Sequence, residues 1–194
     1  MKYILITLSI IITFWTLLTY YVEQPGPAKA WYLDSTYHAK KILIVFDPDP
    51  IYNLDEQVCL SFGKGLVNKN IGVTVVTVAA VDQINLNSFD GYVLCANTYN
   101  WSPDWAIVNL VESSNFIKAK PVIAITLGSG STQQSQSAFE NILVEQGGIL
   151  IHSTSMWLMR PNDEERMEYD NVEVAKSIAY QKGMQLADSI LTSR

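Results

Sequence analysis

Two hydrophobic patterns divide this chain. From Tyr3 to Val22 the run YILITLSIIITFWTLLTYYV carries no charged residue. Its length matches the roughly 20 residues a helix needs to cross a bilayer's hydrocarbon core. From Lys41 onward the pattern changes to short apolar runs alternating with segments in which apolar residues recur at helical spacing. That alternation predicts βαβ units around a parallel sheet buried on both faces.

Five strands are expected. The first is Ile42 to Phe46, an unbroken apolar run suited to a central strand. Asn53 and Glu56 have capping-box spacing ahead of a helix carrying Val58, Cys59, Phe62 and Leu66 on one side. Strand two is Val73 to Val78, and strand three is Tyr92 to Ala96. Ser102, Pro103 and Asp104 then read as the start of a helix: a capping hydroxyl, a residue without an N–H and a carboxylate at the positive end of the dipole. Strand four is Val122 to Thr126, followed by the turn Gly128-Ser129-Gly130-Ser131 and a helix to about Gln146. Strand five is Ile149 to His152, and a final helix from about Asn171 to Leu191 places Val172, Ala175, Ile178, Ala179, Leu186 and Ile190 on one face. The run Met156 to Pro161 falls outside these elements and reads as a strap over the sheet, a cover for the crevice or a docking segment. Right-handed crossovers between five parallel strands give the doubly wound order 2-1-3-4-5, in which ligands bind beyond the carboxyl ends of the strands.

The expected organisation is an N-terminal transmembrane anchor (1–23), a linker (24–40) holding the helix breaker Pro25-Gly26-Pro27, and one α/β domain (41–194). A cleavable signal peptide is the alternative, because Ala28-Lys29-Ala30 has the small-x-small form of a cleavage site, although signal cores are shorter, about 7–15 residues. Trp15, Tyr20 and Tyr21 lie toward the C-terminal end of the span, where interfacial rings sit. Lys2 and the terminal amine precede the span, whereas Glu23, Lys29 and Asp34 follow it; this balance slightly favours a domain outside the cytoplasm.

The net charge of −6 removes nucleic acid as a main partner, since no positive field is available for phosphate backbones. Cys59 and Cys95 form neither a zinc pattern nor a disulfide framework and read as small buried hydrophobes. His38 and His152 have no nucleophile partner at useful spacing, and no G-x-S-x-G motif is present, so no catalytic residue and no metal ligand set is assigned.

Three loops would build a site: Asp47 to Asn53, Asn97 to Trp101, and Leu127 to Thr132. The run DGYVLCANTYNWSP (90–103) is similar to the third strand and following loop of flavodoxins and flavodoxin-like reductases, and KPVIAITLGSGS (120–131) resembles their fourth strand and loop. The resemblance covers about Lys40 to Leu191. It implies FMN as cofactor and electron transfer or flavin-dependent reduction as activity, with a redox partner protein. On that resemblance Tyr99 and Trp101 would stack on the ring. Asn97, Thr98, Asn100, Gly128, Ser129, Gly130 and Ser131 would contact the ring and ribityl chain, and Asn53 with its loop would face the phosphate.

The loop after strand one departs from the family. It reads Asp47-Pro48-Asp49-Pro50-Ile51-Tyr52-Asn53, where FMN-binding members carry Ser, Thr and Gly. Two prolines remove donors and two carboxylates add like charge near a dianion. The alternative is therefore a non-enzymatic flavodoxin-fold binding module that has lost the phosphate site. The same Asp-Pro-Asp run also resembles the first motif of haloacid dehalogenase-like phosphatases, but no acidic pair or lysine follows a strand as that chemistry requires. A phosphorylated receiver is excluded, because strand three ends in Asn97 where the acceptor aspartate should stand.

Overall fold

The computed structural model describes residues 2–33 and 40–192; residues 34–39 of the expected linker, Asp34 and His38 among them, lie outside the described residues. An N-terminal helix, α1 (Lys2–Val22), precedes the sheet strands β1 (Ala30–Tyr32), β2 (Lys41–Phe46), β3 (Gly72–Thr77), β4 (Gly91–Tyr99), β6 (Pro121–Gly128) and β7 (Ile149–Trp157). A two-residue strand, β5 (Ser102–Pro103), folds back on β4, and the remaining helices are α2 (Leu54–Val67), α3 (Trp105–Ser113), α4 (Gln133–Glu145) and α5 (Asn171–Thr192). The sheet order is β1-β3-β2-β4-β6-β7. Its five central strands are parallel, which is the expected doubly wound arrangement.

The strands alternate their side chains between two helical layers. Ile42, Ile44 and Phe46 of β2 join the core beneath α2 and α5, while Leu43 and Val45 join the core beneath α3 and α4. All five are fully buried, which explains why strand one reads as an unbroken apolar run. Cys59 and Cys95 are buried with it as free thiols. Helices α2 and α5 approach closely where glycines face each other. A Cβ on Gly183 would stand 2.2 Å from the Phe62 carbonyl oxygen, and one on Gly65 would stand 2.2 Å from that of Tyr180.

Several local expectations are revised. Residues 30–32, read as linker, form an antiparallel edge strand on β3. Trp31 stacks on Phe46 at 5.9 Å there. The chain between α1 and β1 is also fastened, with the Gly26 N–H donating to Asp47 Oδ1 at 3.0 Å and the Lys29 N–H to Thr77 Oγ1 at 2.9 Å. Ser102 and Pro103 pair with β4 and do not start a helix; Asp104 is the N-cap of α3, accepting from the Ile107 N–H at 3.0 Å. The Asn53–Glu56 capping box does not form, since the Asn53 side chain accepts from Gln57 Nε2 and the Glu56 N–H goes to the Asp55 carboxylate. β7 runs five residues past His152, so Met156 and Trp157 are strand residues.

Candidate functional site

A cavity of about 260 Å³ lies at the carboxyl ends of the central strands. Three of its walls are the expected loops: Asp49, Ile51, Tyr52 and Leu54 after β2, Asn97 to Asn100 at the end of β4, and Leu127 to Ser129 at the end of β6. Leu158, just past β7, closes a corner. The remaining wall comes from α1, whose Trp15, Leu18, Thr19 and Val22 face the crevice.

The contact between α1 and the domain is built on a hairpin tip. Tyr99 pairs with Ser102 across a two-residue turn in which Asn100 and Trp101 have φ of 49° and 63°. Two successive left-handed residues are the type I′ geometry that matches strand twist, for which Asn is well suited at the first position and Gly at the second. Trp101 occupies the glycine position and is 60% exposed, so a bulky residue holds a conformation costing about 1–2 kcal/mol. Asn100 accepts from the Trp15 indole N–H at 3.0 Å and donates to Thr19 Oγ1 at 3.0 Å. Trp15 and Thr19 are one helical turn apart, which lets one amide bridge both.

Beside the cavity, carboxylates collect around the end of β2. Asn97 Nδ2 donates to the Asp47 carbonyl at 2.9 Å and to Asp55 Oδ2 at 3.0 Å, and the Asn97 N–H goes to Asp104 Oδ2 at 2.7 Å. Glu23 accepts from the Trp105 N–H at 2.7 Å. Burial pushes the Asp47 and Asp55 carboxyls up from 3.8 to about 6 and raises Asp104 and Glu23 as well, with neighbouring carboxylates adding to the rise for Asp47, Asp55 and Asp104. Asp49 Oδ1 accepts from the Ile51 and Tyr52 N–H groups at 2.7 and 2.8 Å. The Asp49 N–H itself goes to Asp55 Oδ2 at 2.5 Å. Among the described residues no group of His, Cys, Asp and Glu is placed to hold a metal ion.

Comparison with solved structures places this architecture. The chain has a flavodoxin-like fold. A flavodoxin from the domain Archaea superposes with a TM-score of 0.54 at 14% identity, covering 78% of this chain and 99% of the flavodoxin. Flavodoxin 2 from Bacillus cereus gives 0.55 at 18%, covering 76% and 99%. A flavodoxin, WrbA-like protein from Agrobacterium tumefaciens gives 0.57 at 10%, covering 80% and 100%. No protein-family model and no curated protein sequence matches the chain.

In this flavodoxin-like frame, the two halves of the crevice differ in what they accept. The ring side offers an apolar cavity with few polar groups, among them Thr98 Oγ1, which has no hydrogen-bond partner among the described residues. The phosphate side does not fit FMN. The N–H groups of Asp49, Ile51, Tyr52 and Glu56 are already taken by the Asp49 and Asp55 carboxylates, and Pro48 and Pro50 have none to offer. The chain thus supplies its own anions at the N-terminus of α2, where a phosphate would otherwise sit.

Of the residues singled out in the sequence, Asn97, Thr98, Tyr99, Asn100, Gly128 and Ser129 come together at the cavity. Trp101 points outward at the hairpin tip, Gly130 and Ser131 lie beyond the lining, and Asn53 borders a neighbouring groove with Pro50 and Val172. Asn97 is committed to Asp47 and Asp55, and the Tyr99 hydroxyl to Asp49 Oδ2 at 2.7 Å. Sequence reasoning missed the wall contributed by α1 and the structural duty of Asp55 and Glu23. Trp15 and Thr19 stand at i, i+4 in the span, a weak signal because Thr7, Ser9, Thr13 and Thr16 also interrupt the same run.

Proposed function

We propose that this protein is a flavodoxin-fold module tethered to a membrane by α1, that its crevice takes a flat, uncharged ring without a phosphate anchor, and that its activity is flavin-related electron transfer. The observation that carries the reading is the apolar cavity at the carboxyl ends of β2, β4 and β6, next to a phosphate seat filled by Asp49 and Asp55. A flavin held there by its ring would supply the redox chemistry. Tyr99, Thr98 and the Gly128-Ser129 turn would orient the ring and exclude water, and a partner protein would exchange electrons with it. The helix α1 is long and apolar enough to span a bilayer; the charge balance around it favours a domain on the extracytoplasmic side.

The filled phosphate seat also favours a second reading, a binding module without cofactor. Visible absorbance and tryptophan quenching of the purified full chain during titration with riboflavin and with FMN separate the two. The redox reading expects a bound-flavin spectrum with both compounds, riboflavin binding at least as tightly as FMN because the Asp49 and Asp55 carboxylates oppose the phosphate dianion, and loss in Tyr99→Ala. No spectral change and no quenching at high added flavin sinks the redox reading and leaves the module.

A further inference from the structure

We propose that the mouth of the crevice is itself a membrane-contacting surface, seated at the headgroup–acyl boundary of the bilayer that α1 enters. This inference rests on the reading of α1 as an anchor and commits to lipid as the occupant.

The first argument is one of length. If Tyr3 to Val22 fills a hydrocarbon core of about 30 Å, Trp15 lies seven residues inside Val22, about 10 Å along the axis at 1.5 Å per residue. Trp15 and Thr19 are hydrogen-bonded to Asn100, so the hairpin tip is carried to the same depth. That depth matches the roughly 5–10 Å to which interfacial elements embed. The tether gives little slack, because Glu23 and Gly26 are bonded to the Trp105 N–H and to Asp47.

The second argument is the chemistry of the rim. Around α1 the domain exposes Ile51, Tyr52, Trp101, Trp105 and Met159, at 44 to 71% of their surfaces. Water makes such a grouping unfavourable, whereas an interface favours aromatic and aliphatic side chains together. The polar side chains that join the tip to α1 and to the loop after β2 are paired internally, which lowers the cost of burial beside hydrocarbon. Asn100 bridges Trp15 and Thr19, and Asp49 accepts from the Tyr99 hydroxyl and two backbone N–H groups. At the rim's edge exposed Arg160 lies over the Trp157 ring at 4.7 Å, a cation on an apolar platform suited to reach lipid phosphates. The strained Trp101 also gains a purpose, since a glycine would relax the turn but leave nothing to insert.

The test uses the full chain in phosphatidylcholine vesicles. Because Cys59 and Cys95 are buried, an environment-sensitive fluorophore can be placed on Met159→Cys at the rim and on Asn87→Cys, in the turn leading into the opposite end of β4. Met159→Cys is expected to be quenched by headgroup-proximal spin-labelled lipid at least about threefold more than Asn87→Cys, and to be shielded from aqueous iodide. A chain that floats with vesicles while both labels respond alike overturns this proposal and leaves the anchor standing. Failure to float removes the anchor reading, and this proposal with it. Iodide shielding without lipid quenching, at twice the mass of the chain, assigns the rim to a second copy and also overturns it.

Discussion

The Tyr99 hydroxyl donates to Asp49 Oδ2 at 2.7 Å, clamping the end of β4 to the loop after β2 across the mouth of the crevice. Burial and the adjoining carboxylate both push this phenol's pKa up, which favours the protonated, donating form. Tyr99→Phe keeps the ring and removes the clamp. A hydrogen bond to a charged acceptor contributes about 1.5–3 kcal/mol, so the thermal midpoint of Tyr99→Phe is expected to fall by several degrees. Flavin affinity should stay near that of the parent, because any stacking surface is unchanged. A variant as stable as the parent would show that the clamp contributes nothing.

The carboxylates around β2 set the direction of the pH dependence. Asp47 and Asp55 have folded values of about 6 against 3.8 when solvated, so between those values the folded state holds more protons than the unfolded one. Stability is therefore highest below pH 4 as far as these groups are concerned, and falls as pH rises through about 6. Each rise corresponds to on the order of 3 kcal/mol, an upper figure because neighbouring carboxylates titrate together. The thermal midpoint should climb as pH is lowered from 7 to 5, and Asp47→Asn should flatten that slope. An unchanged midpoint across this window would contradict the assignment.

Trp101 and the turn it occupies make a prediction of opposite signs. Trp101→Gly removes a left-handed strain of about 1–2 kcal/mol, offset by about 0.5–1 kcal/mol of added chain freedom. The domain should gain a degree or two in thermal midpoint while partitioning less into vesicles. Loss of both stability and membrane contact would mean that the indole packs where 60% exposure says it does not.

Close helix packing predicts a severe core variant. In Gly183→Ala the new methyl would meet the Phe62 carbonyl oxygen at 2.2 Å, so α5 has to move off α2. Overpacking of this kind costs about 1–3 kcal/mol, which denaturant unfolding would register as a lower midpoint. Gly130→Ala, with open space around its Cβ, serves as the control and should change little.

Inorganic phosphate should leave the protein unmoved. A vacant phosphate seat would raise the thermal midpoint as ligand is added, following the logarithm of its concentration. With the N–H groups of Asp49, Ile51, Tyr52 and Glu56 already bonded to carboxylates, no rise is expected. A dose-dependent rise would show that phosphate displaces Asp49 or Asp55.

The sequence alone was enough to locate the central strands, because Ile42 to Phe46 and Val122 to Thr126 are buried on both faces and short-range hydrophobic period reports that burial directly; right-handed crossovers then set their order. It also located three walls of the crevice, since a doubly wound sheet always brings those loops together. What it left open depends on contacts between residues far apart in the chain. Asn100 meeting Trp15 and Thr19, and Asn97 donating to the Asp47 carbonyl and to Asp55, have no local signature. Ser102 and Pro103 look like a helix start until β4 offers them a partner. Asp104 reads as a helix-start carboxylate and the Asp47-Pro48-Asp49-Pro50 run already argues against a phosphate anchor; only the packed sheet end shows Asp47, Asp55, Asp104 and Glu23 buried together, with Asp49 and Asp55 accepting from the loop's own N–H groups. Local pattern encodes which face of an element is dry, whereas the content of a site is set by which distant side chains arrive there.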